Sequence, residues 1–101
     1  MRLIVLFNLK PGIDRVAYEA WARETDLPTV NALPSIDRFE VFRTTGVLGS
    51  DAAPPYAYVE ILDVADMDRF GADCDTDAMG KIAAAFQGMA DFTFLTTEPL
   101  E

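Results

Sequence analysis

Apolar residues along the chain recur in four short segments that have the spacing of β-strands. Residues 3 to 9 form a nearly continuous apolar run closed by a Pro-Gly turn, which is typical of a strand inside a sheet. Residues 36 to 44 and 56 to 63 alternate apolar and polar side chains, and residues 92 to 97 alternate phenylalanine and threonine. The pattern predicts four strands, with a glycine- and proline-rich hairpin loop between the second and third.

The segment after the first strand has the three- and four-residue apolar spacing of a helix. Asp14 is placed to cap this helix, and the apolar stripe continues past Pro28. Because proline has no amide hydrogen and crowds the preceding turn, we expect the helix to be kinked or broken near Asp26.

The second half of the chain repeats the same order of elements. Asp66 is expected to cap a short helical turn, and Asp75 or Thr76 to begin a longer helix. The full order is strand, helix, strand, strand, helix, strand. With right-handed crossovers, this order gives a ferredoxin-like α+β fold, βαββαβ, whose four-stranded antiparallel sheet has strand three between strands one and two. Residues 1 to 101 are interpreted as a single domain.

The sheet needs a cover that the chain itself does not supply. Two helices cover only one face, yet strands one and three carry apolar side chains on both faces. We therefore predict a homodimer in which two sheets pack face to face as a dimeric α+β barrel. A small cleft would lie between sheet and helices in each subunit.

Composition narrows the classes of function. A net charge of -9 argues against nucleic acid and anionic membranes as partners. The absence of histidine removes the commonest metal ligand, and no nucleotide-binding or paired-cysteine motif is present, so we expect no metal and no cofactor. The single cysteine, without an apparent secretory signal, indicates a reducing cytoplasm.

One carboxylate falls on a strand that should be buried. Tyr58 and Glu60 alternate with apolar residues, so both side chains point to one face of strand three. Glu60 is expected to be buried and paired with Arg38 or Arg43, since an unpaired buried charge is costly. Alternatively, these polar side chains form the wall of a ligand cleft. Asn8 likewise either satisfies a turn or donates to a bound carbonyl.

The carboxylate of Asp26 has two competing interpretations. It could be the N-cap of the helical segment that begins at Pro28. It could instead project into the cleft beside Trp21, where loss of solvent would raise its pKa toward the range of a general base.

Five segments together resemble one known family. LIVLFNLKPG, YEAWARETDLP, ALPSIDRFEVFR, a G-x-x-G-S-D loop and PYAYVEILDV are similar to the REDY-like (HapK) family, over residues 2 to about 98. That family belongs to the dimeric α+β barrel superfamily and takes its name from red-pigment, prodiginine biosynthesis clusters. The resemblance implies a relationship to EthD-like proteins and to enzymes that act on small hydrophobic or aromatic compounds without a cofactor.

The sequence departs from the EthD-like pattern at one position. EthD-like proteins commonly carry a histidine two residues before the helix proline, and Asp26 occupies that place here. The resemblance thus implies an ionisable group at this position but not histidine chemistry.

The preferred functional hypothesis is a cofactor-independent small-molecule enzyme of secondary or degradative metabolism. Asp26 and Glu60 are its candidate catalytic groups, for proton transfer, cyclisation, isomerisation or condensation on an apolar, carbonyl-bearing or heteroaromatic compound. A monooxygenase that uses substrate-activated oxygen is a variant. The candidate substrate-binding residues are Asn8, Trp21, Arg23, Arg43 and Tyr58.

A non-catalytic dimer that binds a metabolite or stabilises a partner enzyme is the alternative. Space beside Asp26 filled by Phe86, Met79 and Trp21 would favour that alternative. An enclosed wet pocket at the same place would favour an enzyme.

Overall fold

The computed structural model describes residues 1–101 and contains four strands, four α-helices and one π-helical turn. In chain order they are β1 (Arg2–Leu9), α1 (Arg15–Trp21), the π-helical turn (Ala22–Asp26), α2 (Leu27–Asn31), β2 (Ile36–Arg43), β3 (Tyr58–Val64), α3 (Met67–Cys74), α4 (Asp77–Met89) and β4 (Ala90–Thr96). None of the helices has the length and apolar character that crossing a bilayer requires.

The strands form one antiparallel sheet in the order β2-β3-β1-β4. Strand β3 therefore lies between β1 and β2, and the predicted ferredoxin-like α+β fold is confirmed. A β-bulge between Ile36 and Arg38 shifts the register at the start of β2.

Three helices begin at side chains that cap them. Asp14 accepts a hydrogen bond from the backbone of Ala17, and Asp66 accepts from two backbone amides at the start of α3. Thr76, and not Asp75, caps α4 by accepting from the backbone of Met79. Each cap pairs an amide that the helix itself leaves without a partner.

One face of the sheet, here called the inner face, carries the core. Alternate residues of β1 and β3 point to it and are buried, and α4 covers them with an apolar stripe. The principal contributors are Leu3, Val5, Phe7, Leu62, Val64, Met79, Ile82 and Phe86.

The opposite face of the sheet has no helix over it. Its apolar side chains lie beside one another across neighbouring strands, because the register pairs Ile4 with Ile61 and Leu6 with Val59. We call this the open face, and its apolar residues are Ile4, Leu6, Phe42, Val59, Ile61 and Leu95. Phe42 and Leu95 are 43% and 40% exposed, so the face is only partly shielded by its own neighbours.

The first helix widens at the position where a kink is predicted. Over Ala22–Asp26 the backbone forms a π-helical turn, and the amide of Leu27 bonds to the carbonyl of Ala22, five residues earlier. Asp26 keeps right-handed helical angles, with φ −63° and ψ −57°, so the helix continues into α2 and is not broken. Pro28 has no amide to offer the preceding turn, which accounts for the departure from α-helical bonding at this point.

Candidate functional site

An apolar cavity of about 210 Å³ lies between the helices and the inner face of the sheet. We call it the inner cavity. Ten of its twelve lining residues are hydrophobic, and the other two are Asp26 and Glu60. Phe94, which is 50% exposed, lies at its rim. Its full lining is Asp26, Val30, Phe39, Glu60, Leu62, Phe70, Cys74, Met79, Ile82, Ala83, Phe86 and Phe94. Phe86 and Met79 thus line a cavity and do not fill the space beside Asp26.

The helix presents Asp26 to this cavity through a four-residue repeat. Tyr18, Ala22, Asp26 and Val30 are all buried and form one row along α1, the π-helical turn and α2. In a regular α-helix, residues four apart drift around the axis by roughly 40° per step, since each residue turns the chain by about 100°. The slower winding of the π-helical turn reduces that drift and keeps the row facing the sheet.

Asp26 does not act as a helix cap. Its side chain makes no capping hydrogen bond, and only 3% of the residue is exposed. The N-cap interpretation of Asp26 is therefore wrong, because the helix runs through this residue and the carboxyl points away from the backbone amides that a cap would bind.

Glu60 is buried, as expected, but the predicted arginine pair is wrong. The residues opposite Glu60 in the sheet are Val5 on β1 and Val41 on β2, so apolar side chains flank the carboxyl on both sides. Arg38 pairs with Glu40 on its own strand. The remaining salt bridges of the chain also join residues other than Asp26 and Glu60.

Loss of solvent dominates the electrostatics of the inner cavity. Burial raises the pKa of Asp26 from 3.8 to about 6. Burial, followed by repulsion from the Asp26 carboxylate, raises the pKa of Glu60 from 4.5 to about 8. Near pH 7 the pair therefore consists of an ionised Asp26 and a protonated Glu60, which are the states of a general base and a general acid.

Tyr18 places a phenol close to this carboxyl pair. The residue is fully buried, and its ring contacts the rings of Phe7 and Tyr58 at centroid distances of 5.7 and 5.0 Å. Its hydroxyl has no hydrogen-bond partner in the protein. Burial, then the charges of Glu60 and Asp26, raise the pKa of this phenol above its ordinary value. An unsatisfied buried hydroxyl costs roughly 1 to 3 kcal/mol of stability.

A second pocket, also of about 210 Å³, is lined by eight residues that include Tyr18 and Glu19. We call it the outer pocket. Its polar centre is Glu19, which accepts a hydrogen bond from the Tyr58 hydroxyl at 2.7 Å and pairs with Arg43 and Arg23. The hydrogen bonds from Arg43 and Tyr58 lower the pKa of Glu19 to about 2. Arg23, Arg43 and Tyr58, three of the predicted binding residues, thus meet in one polar cluster.

The other two predicted binding residues lie outside both pockets. Asn8 donates to the carbonyl of Pro55 and accepts from the amide of Ala57, so its side chain holds the loop between β2 and β3. Trp21 lines a shallow groove between the first helix and α4. A ligand contact at either residue stays a prediction.

Sequence analysis does not single out Tyr18 or Glu19 as site residues. The signal available for Tyr18 was its place two four-residue steps before Asp26. The sequence around Glu19 is that of an exposed helix glutamate. Its partners Arg43 and Tyr58 are distant in sequence, so only the fold reveals the cluster.

The family model for the REDY-like protein HapK matches residues 1–100. The chain belongs to the REDY-like HapK family. The crystal structure of HapK from Hahella chejuensis is 33% identical in sequence, with a TM-score of 0.78, and the match covers 99% of this chain and 93% of that one. No curated protein sequence matches the chain.

Two more distant structures share the fold of this family member. An EthD family protein from Bacillus halodurans is 19% identical, with a TM-score of 0.67 and coverage of 96% of this chain and 97% of that one. SnoaB, a cofactor-independent oxygenase from Streptomyces nogalater, is 16% identical, with a TM-score of 0.69 and coverage of 97% and 92%. The predicted relationship to EthD-like proteins is confirmed at the level of fold.

The buried carboxyl of Glu60 gives a testable dependence of stability on pH. Its pKa is higher in the folded state, so the folded protein holds more protons than the unfolded chain between about pH 4.5 and 8, and the free energy of unfolding falls as pH rises through that window. Glu60→Gln cannot ionise and should flatten this fall. At pH 8 we expect the variant to be more stable than the wild type by at least about 1 kcal/mol, measured by urea unfolding.

Glu98→Gln makes the same chemical change at an exposed position and serves as the control. Its stability profile should follow that of the wild type. A Glu60→Gln profile that also parallels the wild type from pH 5 to 8 would mean that the carboxyl is solvated in the folded protein.

Proposed function

We propose that this protein is a cofactor-independent enzyme that moves a proton at a carbon next to the carbonyl group of a small apolar compound. One observation carries the proposal. Two carboxyl groups lie in an apolar cavity, neither is paired with a cation, and their pKa values of about 6 and 8 bracket neutral pH. Groups with pKa values set apart in this way suit the roles of base and acid in one reaction.

The reaction begins with the ligand in the inner cavity. The Asp26 carboxylate removes a proton from the carbon next to the carbonyl, and the electron pair of that C–H bond forms the C=C bond of an enol. Glu60 gives its proton to the carbonyl oxygen as the C=O bond becomes a single bond. In a compound with a neighbouring C=C bond, return of the Asp26 proton to a different carbon gives isomerisation, as Glu60 takes the proton back from the enol oxygen and the C=O bond forms again. Attack of the enol carbon on a second carbonyl gives cyclisation or condensation, with the oxygen of that carbonyl taking the Asp26 proton while Glu60 takes back the proton of the enol oxygen.

The size of the inner cavity limits the ligand. A dry apolar cavity of about 150 Å³ is enough to admit benzene. The inner cavity, at about 210 Å³, is therefore suited to a compound of one or two rings. Cavity walls that are almost entirely hydrophobic favour aromatic, heteroaromatic or short polyketide bodies over sugars or nucleotides.

Family membership supports a place in secondary or degradative metabolism. The REDY-like family takes its name from red-pigment clusters, so we include pyrrole-bearing compounds in the proposed ligand class. We place the reaction in the cytoplasm, where the thiol of Cys74, which lines the cavity, stays reduced. Because SnoaB is a cofactor-independent oxygenase on the same fold, reaction of the enolate with oxygen is the variant to test beside proton transfer.

A model ketone tests the chemistry without knowledge of the natural substrate. The protein is incubated with α-tetralone in D₂O near pH 7. It should catalyse deuterium incorporation at the carbon next to the carbonyl, which is measured as loss of that carbon's proton NMR signal. Asp26→Asn keeps the size of the side chain but cannot accept the proton, so the rate should fall on the order of 100-fold. Glu98→Gln should leave the rate unchanged.

The exchange rate should also depend on pH in a bell shape. It should rise through about pH 6 as Asp26 ionises and fall through about pH 8 as Glu60 loses its proton. If α-tetralone binds but no exchange above the protein-free rate occurs, the protein is a binding module and the enzyme proposal is wrong.

We further propose that the protein is a homodimer joined through the open face. The aligned apolar side chains of β1 and β3 give that face a continuous hydrophobic strip, which a second sheet can cover. Stable interfaces commonly bury on the order of 1,200 Å² or more in total.

A charge at the centre of the open face should separate the subunits. Ile61 pairs with Ile4 on one side and with Glu40 on the other, so Ile61→Asp would bury a carboxylate in the interface. We expect light scattering at micromolar concentration to give a dimer mass for the wild type and a monomer mass for the variant. Val16→Asp, at a 73% exposed position on α1, is the control and should remain dimeric. A wild-type monomer with native circular dichroism would contradict the proposal.

A further inference from the structure

We propose that the outer pocket binds a small organic carboxylate, with Arg23 and Arg43 holding the carboxylate group and the apolar walls holding its hydrocarbon part. This site is separate from the inner cavity, because the two linings have no residue in common. Binding there does not depend on the proposed reaction.

Three arginines share one carboxylate beside the outer pocket. Arg15, Arg23 and Arg43 all form salt bridges with Glu19, and no other carboxylate forms a salt bridge with them. Three guanidinium charges against one carboxylate leave an excess of two positive charges. The whole chain has six arginines and a net charge of -9, so the local balance is opposite to that of the molecule. Such a local excess attracts ligands of negative charge.

The Glu19 carboxylate cannot satisfy the hydrogen-bond donors of these arginines. It accepts four hydrogen bonds, two at each oxygen, which fill the sites that a carboxylate offers. Arg43 donates two of them, and Arg23 and the Tyr58 hydroxyl donate one each. Most N–H groups of Arg23 and Arg43 therefore have no acceptor within the protein. A second carboxylate is an acceptor whose two oxygens match the geometry of a guanidinium.

Glu19 also holds the arginine side chains in place before a ligand arrives. Only 12% of its own side chain is exposed, whereas those of Arg23 and Arg43 are 66% and 46% exposed. The two guanidinium groups are thus anchored at one edge and accessible to a ligand from solvent. Long side chains that are already held lose less conformational freedom on binding, which favours affinity.

The walls of the outer pocket select the body of the ligand. Five of its eight lining residues are hydrophobic, and the other three are Glu19, Arg23 and Arg43. Its volume of about 210 Å³ is larger than the roughly 150 Å³ that admits benzene, so the pocket can take one ring. Apolar walls with a few charged groups are typical of sites for small organic molecules. The ligand class is therefore an aromatic or short branched carboxylate. The hydrophobic lining residues are Tyr18, Ala22, Leu27, Val41 and Tyr58.

Arg15 provides a matched comparison for Arg23. The two lie four residues before and four residues after Glu19, both pair with it, and both side chains are 66% exposed. Only Arg23 lines the outer pocket, whereas Arg15 lines a different hollow. Replacing either arginine with glutamine removes the same charge. A difference between the two variants therefore reports contact with the ligand and not the general field of the cluster.

The experiment measures the dissociation constants of benzoate and of benzamide, its uncharged isostere, by amide NMR titration at pH 7. The wild type should bind benzoate more tightly, and added NaCl should weaken benzoate. Arg23→Gln should weaken benzoate about 10-fold and leave benzamide unchanged. Arg15→Gln should weaken benzoate by less than about 3-fold, because exposed charges out of contact contribute little. Circular dichroism checks that both variants keep the fold.

The same spectra locate the bound compound. The amide resonances of Ala22 and Val41, which line the outer pocket, should shift on addition of benzoate. Those of Ile82 and Phe86, which line the inner cavity, should not. Shifts confined to Ile82 and Phe86 would place benzoate in the inner cavity and contradict the proposal.

Inorganic phosphate tests whether the apolar walls take part. Benzoate should bind at least about 10-fold more tightly than phosphate, because only benzoate buries apolar surface. Equal affinities would mean that the pocket holds anions without regard to their body, and the ligand class would be wrong. Absence of benzoate binding at millimolar concentration, equal binding of benzoate and benzamide, or equal losses in Arg15→Gln and Arg23→Gln would each overturn the site itself.

Discussion

The candidate site depends on the burial of Glu60 without a counter-ion. The residue occupies an inner position of β3, between Val5 and Val41, where the strand pattern alone would place an aliphatic side chain. A carboxylate there has lost water and gained no cation, so the protonated form is favoured. The fold tolerates this because the carboxyl can hold a proton, and because the other side chains of the inner face supply apolar burial that offsets the cost. The same burial that lowers the stability of the ionised form raises the pKa of Glu60 to about 8, so its carboxyl still holds a proton at neutral pH.

The polar groups of the molecule divide into two sets with opposite electrostatics. Around Glu19, arginines and a tyrosine hydroxyl satisfy the charge and hold the carboxylate ionised far below neutral pH. Glu60 and Asp26 have no cation beside them, and burial raises the pKa of both carboxyls. The ring of Tyr18 lies between these environments.

The sequence alone predicted the order of the elements, the order of the strands in the sheet and the caps at Asp14 and Asp66, because these depend on local spacing and on handedness rules. Burial of Glu60 followed from its alternation with apolar residues. Its partner could not be predicted, because residue pairing between β2 and β3 depends on the bulge at Ile36 and Arg38, which places Val41 opposite Glu60. Tyr18 could not be predicted as a polar feature, because a tyrosine on an apolar helix stripe has the pattern of a core residue. Only the fold shows that its hydroxyl has no hydrogen-bond partner.

The π-helical turn has a consequence for how the site can change. A turn with bonds five residues apart holds one residue more than the α-helical turn it replaces, so it takes up an extra residue without turning the helix on either side out of phase. Deleting one of residues 22 to 25 would therefore return the segment to regular α-helical bonding and leave α1 and α2 facing the sheet nearly as before. Deleting one residue of α1 instead would rotate the helix on one side by about 100° relative to the other, because no turn there absorbs the change. The same loss of one codon is thus mild inside the turn and disruptive before it, where it would move the carboxyl of Asp26 relative to the residues of α1.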